Sequence, residues 1–249
     1  MADAWHTFPA QMGEHRAFIT FNEAYAREAD SDSRDVLLRV RAEIKRPNAT
    51  GMPTDEEFPN LAALDEKLKN QFGPGSGSYV GKVTVNGRRH FFFYVTCSEE
   101  TASQAIERIS KETTYNLAYS YEKDAAKEGY WRDLYPTPDD WQMIRDLQVL
   151  DALREQGDNA EKSREVTHWA YFRDSSAARL FSDWAVAAGY AVPERQSSEG
   201  GGESKMRFIH RGTMVLEDIT HHSITISRKV RELGGEYDGW ETAVEKQHV

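Results

Sequence analysis

The sequence predicts an α+β protein made of two ferredoxin-like α/β sandwich domains with mainly antiparallel sheets. Length is the first observation, because 249 residues at roughly 150 per domain allow one or two domains. The second is that residues 35–123 show the order strand, helix, strand, strand, helix, strand, which is typical of the ferredoxin-like fold. The third is that residues 165–244 show this order again. We therefore expect domains at 1–136 and 137–249.

The N-terminal domain is predicted to begin with an extra hairpin over residues 5–21, where apolar and polar residues alternate. β-branched residues spaced between charges predict a half-buried strand over residues 36–44. Thr54 and Glu57 have the spacing of a capping box. They predict the start of an amphipathic helix that continues to Phe72.

The centre of this domain carries its clearest local signal. Asn86 and Gly87 lie between two β-rich segments, and both residue types tolerate the positive φ angles of a type I′ hairpin turn. A helix opening at Ser98 or Thr101 and a strand over residues 115–121 complete the predicted domain.

The C-terminal domain is predicted to begin with a helix capped by Thr137. Residues 166–172 are largely apolar on both faces, which predicts a central strand. The remaining predicted elements are a helix ending at Gly189, two strands around a turn at 200–202, a helix at 219–233 and a last strand at 236–244.

Composition excludes several classes of protein. The net charge of −10 argues against binding nucleic acid or an anionic membrane by bulk electrostatics, so we expect a protein partner and no direct contact with nucleic acid. The single cysteine, Cys97, cannot form an internal disulfide. No segment approaches the ~18 apolar residues of a membrane span, and no secretory signal is evident. We therefore expect a cytoplasmic protein.

Histidines are the main candidates for metal ligands. His221 and His222 are adjacent, so on a helix their side chains diverge by about 100° and cannot readily share one ion. The one pairing that the strand pattern favours is His168 with His210 across a sheet. No motif indicates a reaction, so we predict no catalytic residue, no metal and no cofactor.

The most distinctive segment lies near the C-terminus, where two large aromatic residues surround an Asp-Gly pair. One interpretation is an aromatic lock that holds the last strand on its sheet. The other is an acidic and aromatic protein-binding site that takes a basic segment of its partner. The candidate residues of that site are Tyr237, Asp238, Gly239, Trp240 and Glu241, with His168 as a neighbour across the sheet.

A competing hypothesis is a small-ligand-binding protein or enzyme with a pocket between the two domains. Its candidate lining residues are Tyr121, Trp131 and His210. The aromatic residues over 115–141 alternate with acidic ones, which argues against base stacking with nucleic acid.

Three local features of residues 164–244 belong together: Val166 and His168 at a strand opening, Gly189-Tyr190-Ala191-Val192 after a helix, and Glu236-Tyr237-Asp238-Gly239-Trp240. With these features the segment resembles the bacterial regulator of ribonuclease activity B family. Residues 1–136, with Gly51-Met52-Pro53 and a hairpin over 81–94, resemble an uncharacterised domain that is sometimes fused to it. The resemblance implies an α/β sandwich, a non-catalytic role and a ribonuclease E-type endonuclease as partner.

Overall fold

A computed structural model of the protein describes residues 3–197 and 204–246. The chain divides into two units, Met1–Tyr135 and Pro136–Val249, which we call unit 1 and unit 2. Each unit contains an antiparallel sheet with helices, which confirms the predicted α+β class. The turn predicted at 200–202 lies outside the described residues. No helix in the described ranges is both long and apolar enough to cross a membrane.

In the described part of unit 1, six strands form one sheet of order β1-β2-β4-β5-β3-β6. Two short 3-10 segments follow β2. The strands are β1 (Trp5–Met12), β2 (His15–Asn22), β3 (Val36–Glu43), β4 (Gly77–Val85), β5 (Arg88–Val95) and β6 (Leu117–Lys123), and the helices are α1 (Phe58–Phe72), α2 (Glu99–Thr113) and α3 (Glu128–Asp133).

Two neighbouring strands of this sheet, β3 and β5, bury their apolar side chains beneath α1 and α2. Four side chains of these strands are fully buried and pack against both helices: Leu38 and Val40 of β3, and Phe91 and Phe93 of β5. The predicted N-terminal hairpin is confirmed as β1 and β2, and it continues the sheet beyond β4. Unit 1 therefore has a sheet that is wider than the helix pair covering it.

The turn between β4 and β5 follows the prediction. Asn86 and Gly87 have φ angles of +46° and +72°, and Val85 pairs with Arg88 across the turn. The N-terminus of α2 is capped by Ser98, whose hydroxyl accepts from the Thr101 amide at 3.3 Å.

The predicted capping box of α1 is wrong. The helix begins at Phe58, and the Thr54 hydroxyl has no hydrogen-bond partner among the described residues. The Glu57 side chain does not reach back to cap the helix, because its carboxylate accepts a hydrogen bond from the Tyr115 hydroxyl in the core. A tertiary contact has replaced the local one.

In the described ranges of unit 2, four antiparallel strands form a sheet of order β10-β7-β9-β8, so the predicted central position of β7 is confirmed. Thr137 and Asp140 form a capping box at the start of α4, as the predicted helix cap required. The elements are α4 (Pro138–Glu155), β7 (Arg164–Phe172), α5 (Ser175–Ala187), β8 (Ala191–Ser197), β9 (Ser204–Gly212), α6 (Leu216–Glu232) and β10 (Glu236–Thr242).

Candidate functional site

The last strand contains a β-bulge at the motif that the sequence singled out. Tyr237 pairs with Ala170 and Trp240 pairs with His168, so Asp238 and Gly239 together oppose a single residue of β7. Gly239 adopts a φ of +114°, which favours glycine. Because the bulge adds one residue, Tyr237 and Trp240 lie three apart in sequence yet face the same, helix-covered side of the sheet.

Trp240 is held by a buried carboxylate of α4. Its indole Nε1 donates to Asp146 Oδ1 at 2.8 Å, and Gln142 Nε2 donates to the same oxygen at 2.9 Å. The Ser223 hydroxyl of α6 donates to Asp146 Oδ2 at 2.5 Å. Burial raises the pKa of Asp146, whereas these three hydrogen bonds lower it. Asp146 thus joins two helices to the last strand.

Sequence reasoning missed Asp146. The residue stands on α4 among Ile144 and other apolar positions, and an acid at such a position of an amphipathic helix was the available signal. The role of Asp146 depends on its contact with the Trp240 indole, and no local sequence pattern reveals which side chain α4 covers.

A second buried network joins β7, β9 and β10. His168 lies with Nδ1 at 2.7 Å from the Tyr237 hydroxyl and with Nε2 at 2.7 Å from His210 Nδ1. Burial lowers the pKa of His168 well below its ordinary value, and lowers that of His210 to about 4. Both rings are therefore neutral at pH 7, and the pairing of His168 with His210 suggested by the strand pattern is present.

The network reaches α6 through ring contacts. The His222 ring stacks on His210 with centroids 3.8 Å apart, and its Nδ1 lies 2.9 Å from the Tyr190 hydroxyl. His210 Nε2 is buried without a hydrogen-bond partner among the described residues. No group of three or more side chains suited to metal binding was found in the described ranges. The described histidines of this network are thus packed imidazole rings, of which His168 and His210 are neutral at pH 7.

The other side of the unit 2 sheet has a different character, because the described helices of this unit pack on the side of His168 and Trp240. Three adjacent strands there carry three kinds of side chain in register. We call this surface the striped face: acidic Glu236, Asp238 and Glu241 on β10, aromatic Trp169 and Tyr171 on β7, and basic Lys205 and Arg207 on β9.

Contacts within the striped face tie the aromatic and basic columns together. Lys205 Nζ lies 4.3 Å from the Trp169 ring centroid and 5.6 Å from that of Tyr171. Both rings are partly buried, whereas Glu236, Asp238 and Glu241 are exposed. The face therefore presents negative charge at its edge and cation-covered rings at its centre.

The structure separates the predicted protein-binding residues into two groups. Tyr237, Trp240 and His168 are 8%, 9% and 0% exposed and lie in the core. Asp238 and Glu241 point to solvent on either side of Gly239. The aromatic members thus shape the strand, and the acidic members are accessible to a partner.

The candidate residues of the ligand-binding alternative lie in different units. Tyr121 and Trp131 are in unit 1, where the Tyr121 hydroxyl donates to the Cys97 carbonyl at 2.7 Å and Trp131 packs edge-on against Tyr130. His210 is in unit 2, within the histidine network.

These features define a protein of two α+β units, one of which presents a striped face. Residues 3–135, more than half of the chain, match the Family of unknown function (DUF695), and the chain belongs to that family. Residues 144–242 match the family Regulator of ribonuclease activity B (RraB). Both parts of the resemblance seen in the sequence are thereby confirmed, and the second match is consistent with a regulatory role.

No curated protein matches the chain. One solved structure that matches is described as the crystal structure of an unknown protein from Galdieria sulphuraria. It is 13% identical, the match covers 84% of this chain and 99% of that chain, and the TM-score is 0.22.

Proposed function

We propose that the protein is a cytoplasmic, non-catalytic regulator that binds a ribonuclease E-type endonuclease through the striped face of unit 2. The match of residues 144–242 to the Regulator of ribonuclease activity B family supports the regulatory role. The observation that carries the proposal is the acidic column of the striped face, which lies beside two aromatic side chains.

The acidic column suits a basic segment of the partner. Glu236, Asp238 and Glu241 are exposed and have no ion pair within the described residues. Opposite charges across an interface steer association and fix its register. In the described sheet β10 is an edge strand, so an extended basic segment can pair with its backbone as well.

The aromatic column supplies apolar contact area. Tryptophan and tyrosine are enriched among the residues that dominate binding energy at protein interfaces. Trp169 and Tyr171 lie next to the acidic column, since Gly239 pairs with Trp169 and Glu236 with Tyr171. A basic segment lying along β10 therefore reaches both columns.

The test is calorimetric titration of the full chain with a purified ribonuclease E-type endonuclease. We expect a variant with Asp238→Lys and Glu241→Lys to bind at least tenfold more weakly, a loss of about 1.4 kcal/mol, because two attractive charges become repulsive. Affinity of the unchanged chain should also fall as salt rises from 50 to 300 mM.

Asp183→Lys, compared with Asp238→Lys alone, is the matched control for one charge reversal, because Asp183 is exposed on α5, a helix that packs on the opposite side of the sheet. Asp183→Lys should bind like the unchanged chain. Equal losses in Asp183→Lys and Asp238→Lys, or affinity indifferent to salt, would contradict the assignment of the striped face.

A further inference from the structure

The widened sheet of unit 1 leaves a cavity beside the start of α1. Strand pairing places Thr7, Thr20 and Lys82 in one row, and Phe18, Thr84 and Arg89 in the next, all on the side that carries α1. The core beneath α1 is made with β3 and β5 and contains no described residue of the N-terminal hairpin. Met52 and Phe58, before and at the first turn of α1, close the other side of a cavity of about 430 Å³.

The inner end of this cavity is rich in positive charge. Asp65 of α1 is 4% exposed, and its two oxygens accept from Lys82 and, at 3.4 Å, from Arg89. Arg89 is 5% exposed and its Nε donates to the Thr84 hydroxyl at 3.0 Å. Two cations thus share one carboxylate, which leaves one positive charge in excess among these three side chains.

The acidic side chains Asp55 and Glu57 lie near the cavity but do not pair with Lys82 or Arg89 at its inner end. Asp55 lines the cavity but is exposed at its rim. The Glu57 carboxylate accepts the hydroxyl of Tyr115 and does not line the cavity. Burial lowers the pKa of Lys82, and the positive charge of Arg89 lowers it further against the effect of Asp65. An additional anion beside Lys82 would stabilise its charged form.

The outer part of the cavity is apolar and open. Phe18 is 43% exposed and Phe58 is 59% exposed, which is unusual for phenylalanine, and both line this cavity together with Met52. Pockets of about 300–1,000 Å³ with apolar walls and a few convergent polar groups are typical small-molecule sites.

We propose that this cavity binds a small organic monoanion, a carboxylate with a flat apolar body. The carboxylate pairs with Lys82 and Arg89 at the inner end, and the body packs against Phe18 and Phe58. The site lies in unit 1, in the segment that matches a family of unknown function, and it is independent of the striped face of unit 2.

The test uses the full chain and two probes of nearly equal shape, 2-naphthoate and its uncharged amide, 2-naphthamide. Titration calorimetry should show saturable binding of 2-naphthoate that is at least tenfold tighter than that of 2-naphthamide. Lys82→Met should weaken 2-naphthoate at least tenfold and leave 2-naphthamide unchanged, because only the charge is removed. Lys123→Met removes a charge at an exposed site of β6 and should change neither affinity.

A second variant guards against loss of the fold. Phe58 is largely exposed, so Phe58→Ser should keep the circular dichroism and thermal unfolding of the unchanged chain while weakening both probes several-fold. The proposal is overturned if 2-naphthoate does not saturate, if both probes bind equally to the unchanged chain, or if Lys123→Met weakens 2-naphthoate as much as Lys82→Met.

Discussion

Two buried polar side chains of unit 2, Asp146 and His168, have hydrogen-bond partners on other elements of the fold. Asp146 of α4 receives hydrogen bonds from α6 and β10, and His168 of β7 contacts side chains of β9 and β10. Leaving such a group unpaired costs about 1–3 kcal/mol, so each network favours one arrangement of the helices over the sheet. The histidine network also makes the stability of unit 2 depend on pH.

Acidification should destabilise unit 2. Burial lowers the pKa of His168 and His210 in the folded state, so the unfolded state binds more protons below the ordinary histidine pKa of 6.5. Their stabilising effect is complete above pH 6.5 and is lost as the pH falls from 6.5 towards 4. Each histidine contributes up to about 1.4 kcal/mol per pH unit. Hydrogen exchange of β7 and β9 amides between pH 7.5 and 5 measures the loss.

His210→Gln isolates the histidine effect. Glutamine keeps a hydrogen-bonding group near His168 but does not titrate, so the slope of stability against pH should fall. Burial raises the pKa of Asp146, so this residue gives stability the opposite dependence on pH. Its contribution is present both in His210→Gln and in the unchanged chain. His15→Gln, at an exposed position of unit 1, should leave the slope unchanged. Identical slopes for His210→Gln and the unchanged chain would refute the assignment.

Elements whose signals are local were predictable, and elements that depend on tertiary contacts were not. Asn86 and Gly87 determine their hairpin through their own φ angles, and Thr137 caps α4 through a neighbour three residues away. The Thr54 cap failed because Glu57 contacts Tyr115, which lies 58 residues further along the chain. The sequence placed His168 and His210 on neighbouring strands and so made them a candidate pair across the sheet. The role of Asp146 could not be predicted, because its partners lie on β10 and α6 and are distant in sequence.

The bulge of β10 is an element with a single sensitive residue. Gly239→Ala should lower the free energy of unfolding by about 1–3 kcal/mol, because alanine at a φ of +114° is strained. Asp238→Ala is the control within the same bulge, since Asp238 is exposed and has no positive φ, and it should change stability by less than about 0.5 kcal/mol. Urea unfolding followed by tryptophan fluorescence measures both, and equal effects would exclude backbone strain as the cause.

At the scale of the whole molecule, the two units repeat one plan on different sequences. Without its extra hairpin the sheet of unit 1 has the order β6-β3-β5-β4, and that of unit 2 has the corresponding order β10-β7-β9-β8. The two units differ in the elements that are added to this shared strand order. Unit 1 gains a hairpin and with it a cavity, whereas unit 2 gains α4 and with it the carboxylate that holds Trp240.

We expect the two units to fold when separated between Tyr135 and Pro136. The core beneath α1 and α2 contains residues of unit 1, the cores around Phe181 and Trp240 contain residues of unit 2, and both units fall in the usual domain range of about 50–250 residues. Fragments 1–135 and 136–249 should each unfold cooperatively in urea. The first should retain binding of 2-naphthoate, and the second should retain the pH dependence of the histidine network. A fragment without a cooperative transition would mean that its core is completed by the other unit.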